Sequence, residues 1–107
     1  MCGIAIAIGL NGRPIERVAV ERMAKSLRHR GPDDGGIYLD GAVGMGFRRL
    51  SILDLSEAGH QPMVSEDGQY VLVFNGEIFN YVELRSELRQ LGYQFRSSGD
   101  SEVLLAA

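Results

Sequence analysis

One cysteine stands in this 107-residue sequence, and it is the second residue. Loss of Met1 would leave Cys2 at a free N-terminus, with thiol and α-amine on one residue. Such an amine titrates just above neutral pH, so part of it is neutral and can take a proton from the thiol. Nucleophile and base then come from a single residue, and no cysteine–histidine pair is required. The plain alternative is a second-position cysteine that does no chemistry.

Three other features could serve such a nucleophile. Asn75-Gly76-Glu77 follows the β-prone run 70–74 (YVLVF), which reads as a strand buried on both faces. Gly76 offers an unhindered N–H and Asn75 a side-chain amide, the two neutral donors an oxyanion hole needs; otherwise the pair is an ordinary Asn-Gly turn. Arg48-Arg49 heads the largely apolar stretch 50–55 (LSILDL), read as a strand. An unpaired buried charge is expensive, so either both arginines lie at a surface edge or one turns inward to fork onto a carboxylate. Asp100 is either a helix cap or a carboxylate that faces a pocket and binds an ammonium. His60, in the loop 56–63, has no cysteine nearby and is assigned a structural role.

Several elements must position these groups. Residues 3–9 (GIAIAIG) alternate Ile4, Ile6 and Ile8 with Gly3, Ala5 and Ala7, a strand with one bulky and one small face that lets something pack closely. Residues 15–27 carry Val20, Met23, Ala24 and Leu27 at helical spacing. Residues 28–36 (RHRGPDDGG) form a Gly/Pro-rich loop, either a solvated turn or the lining of a substrate pocket. Residues 37–39 and 43–47 pair as a hairpin across Asp40-Gly41. Asn80 and Glu83 have the spacing of a capping box; Tyr81, Leu84, Leu88 and Leu91 then form the buried stripe of a helix that Gly92 ends. Residues 93–95 (YQF) read as a short strand. Residues 101–107 (SEVLLAA) start a helix, with Asp100 or Ser101 as N-cap, that stops without a C-cap. The chain is therefore expected to be a fragment cut inside an element.

The composition fits one soluble domain with a modest core: 45% hydrophobic, 23% charged, net charge −3. Interspersed charges argue against nucleic acid and anionic membrane as partners. One cysteine permits no internal disulfide, and with two histidines nothing suggests a metal site. No apolar run approaches a membrane span and no basic signal-peptide head is present, so the expected location is the cytoplasm.

Taken together, the N-terminal Cys-Gly-Ile, RHRGPD at 28–33, RRLSILDL at 48–55, GHQPM at 59–63, FNGEIFNY at 74–81 and SGDSEV at 98–103 closely resemble the glutaminase domain of class II glutamine amidotransferases. Within that family they resemble the glutamine-hydrolysing asparagine synthetases. The resemblance spans the whole chain. It implies an α+β fold, the N-terminal-nucleophile (Ntn) hydrolase αββα four-layer sandwich, of which residues 1–107 would be the N-terminal part, further strands following. It implies that Cys2 attacks the side-chain amide of free L-glutamine, with the Asn75 side chain and Gly76 N–H on the oxyanion. Arg49 would fork onto the α-carboxylate, Asp100 with Glu77 would take the α-ammonium, and main-chain groups of Leu50, Ser51, Ile52 and Leu53 would line the same pocket. The ammonia would pass to a C-terminal synthetase domain of the parent chain that uses ATP and magnesium to convert aspartate to asparagine. That domain is absent from this sequence, so no cofactor is expected here. A homodimer is left open. Other readings are a class II glutaminase serving a different acceptor, a non-catalytic structural or regulatory module, and a fragment without activity of its own.

Overall fold

In a computed structural model, which describes residues 2–51 and 56–107, two antiparallel sheets and three α-helices follow the chain in the order β1 (Gly3–Ile8), α1 (Arg17–Ser26), β2 (Asp34–Asp40), β3 (Val43–Arg49), β4 (Met63–Val64), β5 (Val71–Leu72), α2 (Tyr81–Gln90) and α3 (Asp100–Ala106). β3 is the central strand of the sheet β1-β3-β2. Its register with β1 runs from Gly3↔Arg48 to Ile8↔Val43 and its register with β2 from Asp34↔Arg49 to Asp40↔Val43.

The alternation in β1 decides which face α1 covers. Ala5 pairs with Gly46 and Ala7 with Gly44, so small residues of two strands share one face. A Cβ at Gly44 would come within 2.6 Å of Val20 Cγ2, and one at Gly46 within 2.9 Å of Ala24 Cβ. The helix lies against the sheet at a distance only glycine permits there. Val20 and Ala24 are accordingly buried. Ile6 and Ile8, on the opposite face, are 50% and 67% exposed, while Phe47 on that same face is 1% exposed.

The hairpin is longer than the sequence suggests. β2 already starts at Asp34, inside the expected loop, and β3 runs on through Arg48 and Arg49. The arginines thus end a strand instead of heading one. Leu50 and Ser51 are not extended-sheet residues, and the rest of the expected strand 50–55 lies outside the described residues.

The second half has much less ladder. β4 and β5 pair only as Met63↔Leu72 and Val64↔Val71. The run 70–74 is therefore not a strand buried on both faces: Tyr70 is 67% exposed and the next four residues are half-buried. Residues 93–95 are not a strand either. Tyr93 N–H donates to Leu88 O and Gly92 N–H to Arg89 O, both at 3.0 Å, with Gly92 at φ 100°; these bonds end α2 as a Schellman turn and leave no N–H of Tyr93 for a ladder. Leu91, the C-cap, has left the helical stripe and is 76% exposed.

Two expected caps also differ. Asn80 is the N-cap of α2, but its φ/ψ of −98°/28° is not the extended conformation usual for a cap and its side chain makes no capping bond. The N-cap of α3 is Gly99, with Asp100 the first helical residue and its carboxylate directed elsewhere. No helix among the described residues is long and apolar enough to cross a membrane.

Candidate active site

Strand parity sorts the two arginines. Arg48 lies on the α1 side, where Nε donates to Gly31 O at 2.9 Å and Nη2 to Pro32 O at 3.3 Å, pinning the loop before β2. Arg49 points the other way. It is 8% exposed, and Nη1 donates to Ser56 O at 2.7 Å. Its guanidinium passes so close to Gly59 that a side chain there would have to displace it. Cys2 precedes Gly3, the partner of Arg48, so continued alternation sets the thiol on the Arg49 face.

A cavity of about 310 Å³ opens between this face and the second half of the molecule. Its wall includes Cys2, Arg49, Leu50, Asn75, Gly76, Glu77 and Asp100, seven of the ten residues singled out from the sequence. The thiol is held at its edge: Leu50 N–H donates to Sγ at 3.3 Å, and Sγ lies 3.6 Å from Leu50 O. Arg30, from the RHRGPD loop, donates Nε to the Cys2 carbonyl at 3.3 Å. The loop therefore touches the backbone of Cys2 and does not itself line the cavity.

Asp100 is 6% exposed, and Oδ2 accepts Ile78 N–H at 2.8 Å. One bond thus ties the first turn of α3 to the chain just past Asn75-Gly76-Glu77. The loop before α3 is shaped by Glu102, whose carboxylate accepts Arg96 N–H at 2.9 Å and Ser97 N–H at 2.8 Å. Arg85 braces it from α2, donating Nη2 to Gly99 O at 2.9 Å while its guanidinium lies 5.3 Å from the Tyr81 ring centre and 5.7 Å from that of Phe95.

Two nearly buried opposite charges, Arg49 and Asp100, border one cavity together with a thiol. A buried charge is stable only when partnered, and a zwitterionic amino acid offers a carboxylate for one and an ammonium for the other.

Ser51 is not part of this wall. Its N–H donates to Asp33 Oδ2 at 2.8 Å, and the residue borders a second, open cleft with Asp33, Asp34, Ser56, Glu57 and His60, on the far side of Arg49. Ile52 and Leu53 lie outside the described residues. His60, expected to be structural, places Nδ1 2.6 Å from Asp34 Oδ2. Burial alone would raise the Asp34 pKa, but the hydrogen bonds from His60 and from Gly35 N–H, with the charges of His60 and Arg49, outweigh it and hold the carboxyl below its ordinary 3.8. Among the described residues there is no group of three or more His, Cys, Asp or Glu that could hold a metal ion.

Sequence reasoning missed Arg30 and Gln61. Arg30 stood in a motif read as a loop, and nothing in its spacing pointed at Cys2. Gln61 is a neutral polar residue in a loop, the type most often solvated.

The family model for the glutamine amidotransferase domain matches residues 1–107. Among curated proteins the chain is 47% identical over 112 residues to the glutamine-hydrolyzing asparagine synthetase 1 of Bacillus subtilis, covering 99% of this chain and 17% of that protein. It is 42% identical over 108 residues to synthetase 2 of the same organism, covering 98% and 14%. It is 39% identical over 105 residues to the glutamine-hydrolyzing asparagine synthetase 1 of Arabidopsis thaliana, covering 97% and 18%. The chain thus spans less than a fifth of the length of these relatives. With its full length matched by the family model, the chain belongs to the glutamine amidotransferase domain family.

Proposed function

We propose that this domain hydrolyses free glutamine through Cys2 and that the ammonia serves ATP-dependent conversion of aspartate to asparagine elsewhere in a longer parent chain. The observation that carries the reading is the placement of buried Arg49 and buried Asp100 on one cavity with the Cys2 thiol. Arg49 receives the α-carboxylate, and Asp100 with Glu77 receives the α-ammonium. Glutamine lying between them extends its side-chain amide towards Cys2. Recognition of both charged ends selects a free amino acid over a glutamine within a peptide.

After loss of Met1, the α-amine of Cys2 takes the thiol proton as Sγ attacks the amide carbon. The oxyanion is met by the Asn75 side chain and Gly76 N–H; loss of one such donor costs about 2.7–4 kcal/mol in comparable sites. The amine returns the proton to the leaving nitrogen, the carbon–nitrogen bond breaks and ammonia departs. A γ-glutamyl thioester remains on Cys2, and water, deprotonated by the same amine, releases glutamate. Main-chain groups of Leu50 line the pocket. The fold we infer is the Ntn-hydrolase αββα sandwich. A sheet with α1 on its small face and exposed Ile6 and Ile8 on the other is suited to be one half of it.

Glutamate release from glutamine by the longer parent chain, compared with its ammonia-dependent synthesis, tests the assignment. Cys2→Ala is expected to abolish the first and spare the second. Glutaminase activity that survives in Cys2→Ala would remove the nucleophile.

A further inference from the structure

Gln61 is 5% exposed and uses both ends of its amide. Oε1 accepts Phe74 N–H at 2.7 Å, and Nε2 donates to Ser101 Oγ at 3.1 Å. Phe74 stands one residue before Asn75-Gly76, and Ser101 one residue after Asp100. The β4–β5 ladder ends at Leu72, so at Phe74 the glutamine amide stands where a neighbouring strand would. On the far side of Asn75-Gly76, Ile78 N–H is tied to Asp100 itself at 2.8 Å. The segment 75–77 is thus an arch anchored at both feet to the first turn of α3. One foot is held by Asp100 and the other by Gln61 through Ser101.

We propose that Gln61 is a positioning residue that fixes the separation between the oxyanion donors and the ammonium acceptor, so that the site reads the amide and the α-amine of one amino acid together. This rests on the glutaminase reading above. The chemistry requires a neutral amide, with an acceptor at one end and a donor at the other. A carboxylate at this position would add a negative charge beside Asp100, and an apolar chain would leave Phe74 N–H unpaired.

The test is substrate discrimination in the full chain, comparing kcat/KM for glutamine with that for its analogue lacking the α-amine. Gln61→Met keeps volume and removes both bonds. Glutamine's advantage over the analogue should shrink about tenfold or more, because the amide no longer meets the nucleophile when the amine sits on Asp100. Loss of folded protein scales both substrates alike and leaves the ratio unmoved. Ser101→Ala, which cuts only the Nε2 bond, should shift the ratio in the same direction by less, and the double variant should add little to Gln61→Met. An unchanged ratio in folded Gln61→Met, or in Ser101→Ala if the first variant does not accumulate, overturns the proposal. An unaltered chain that fails to hydrolyse glutamine would overturn the glutaminase reading as well, whereas hydrolysis with an unmoved ratio defeats the role of Gln61 alone.

Discussion

Cys2 and Arg49 sit at the ends of two strands joined by an unbroken backbone register, whereas Asn75 and Asp100 face them from segments held by individual side-chain bonds. On the first side a continuous ladder and the close approach of α1 fix the backbone, and strand parity then fixes which side chain enters the cavity. On the second side the ladder is two pairs long, and Gln61, Asp100, Glu102 and Arg85 do by hydrogen bonds what a strand does across the cavity. Position set by a ladder survives the loss of any one side chain. Position set by a side chain does not.

The largest expected effect is at Cys2, the proposed nucleophile. Cys2→Ala should lower glutamine hydrolysis on the order of 10⁴-fold with the melting temperature nearly unchanged, since the ladder does not depend on the thiol. Asp100→Asn keeps an oxygen for Ile78 N–H and removes only the charge. Its KM for glutamine should rise about 10- to 100-fold, as expected for losing one charged hydrogen bond, with a smaller change in kcat; steady-state kinetics would show it. Glu102→Ala should loosen the donor side alone. Hydrogen exchange at Arg96 and Ser97 should accelerate, matching a loss of about 1–2 kcal/mol, while exchange in β1 and β3 stays slow.

The smallest effect concerns the ladder's edge, where Asp34 meets His60. Because the folded Asp34 pKa lies below 3.8, its contribution is whole above that value and is lost as pH falls through the lower one. Asp34→Asn should therefore be slightly less stable than the unaltered chain at neutral pH, the two stability curves converging below about pH 4. Parallel curves down to acid would show that the pair contributes nothing.

How far the sequence could be read follows the same division. The alternation of Ile4, Ile6 and Ile8 with small residues announced β1 and the close packing against it, and the spacing of Val20 and Ala24 announced α1. These are periodic signals, and a ladder obeys them. The residues left open whether both arginines lay at a surface edge or one turned inward, and only the resemblance named Arg49; β3 continues through both, and its pairing with β1 and β2 sends Arg49 to the cavity face and Arg48 to the other. Across the cavity the sequence misled. YVLVF carries the composition of a central strand, yet β propensity cannot supply the partner that would make it one. Gln61 gave no signal, because a glutamine's burial depends on bonds to Phe74 and Ser101, thirteen and forty residues away.

The most direct measurement is the intact mass of the chain after exposure to an electrophilic glutamine analogue. The expected product has lost Met1 and gained a single adduct, which maps to Cys2 and is prevented by free L-glutamine. Labelling that glutamine does not prevent, or a processed chain that takes up no label, would contradict the proposal that Cys2 attacks an amino acid held by Arg49 and Asp100.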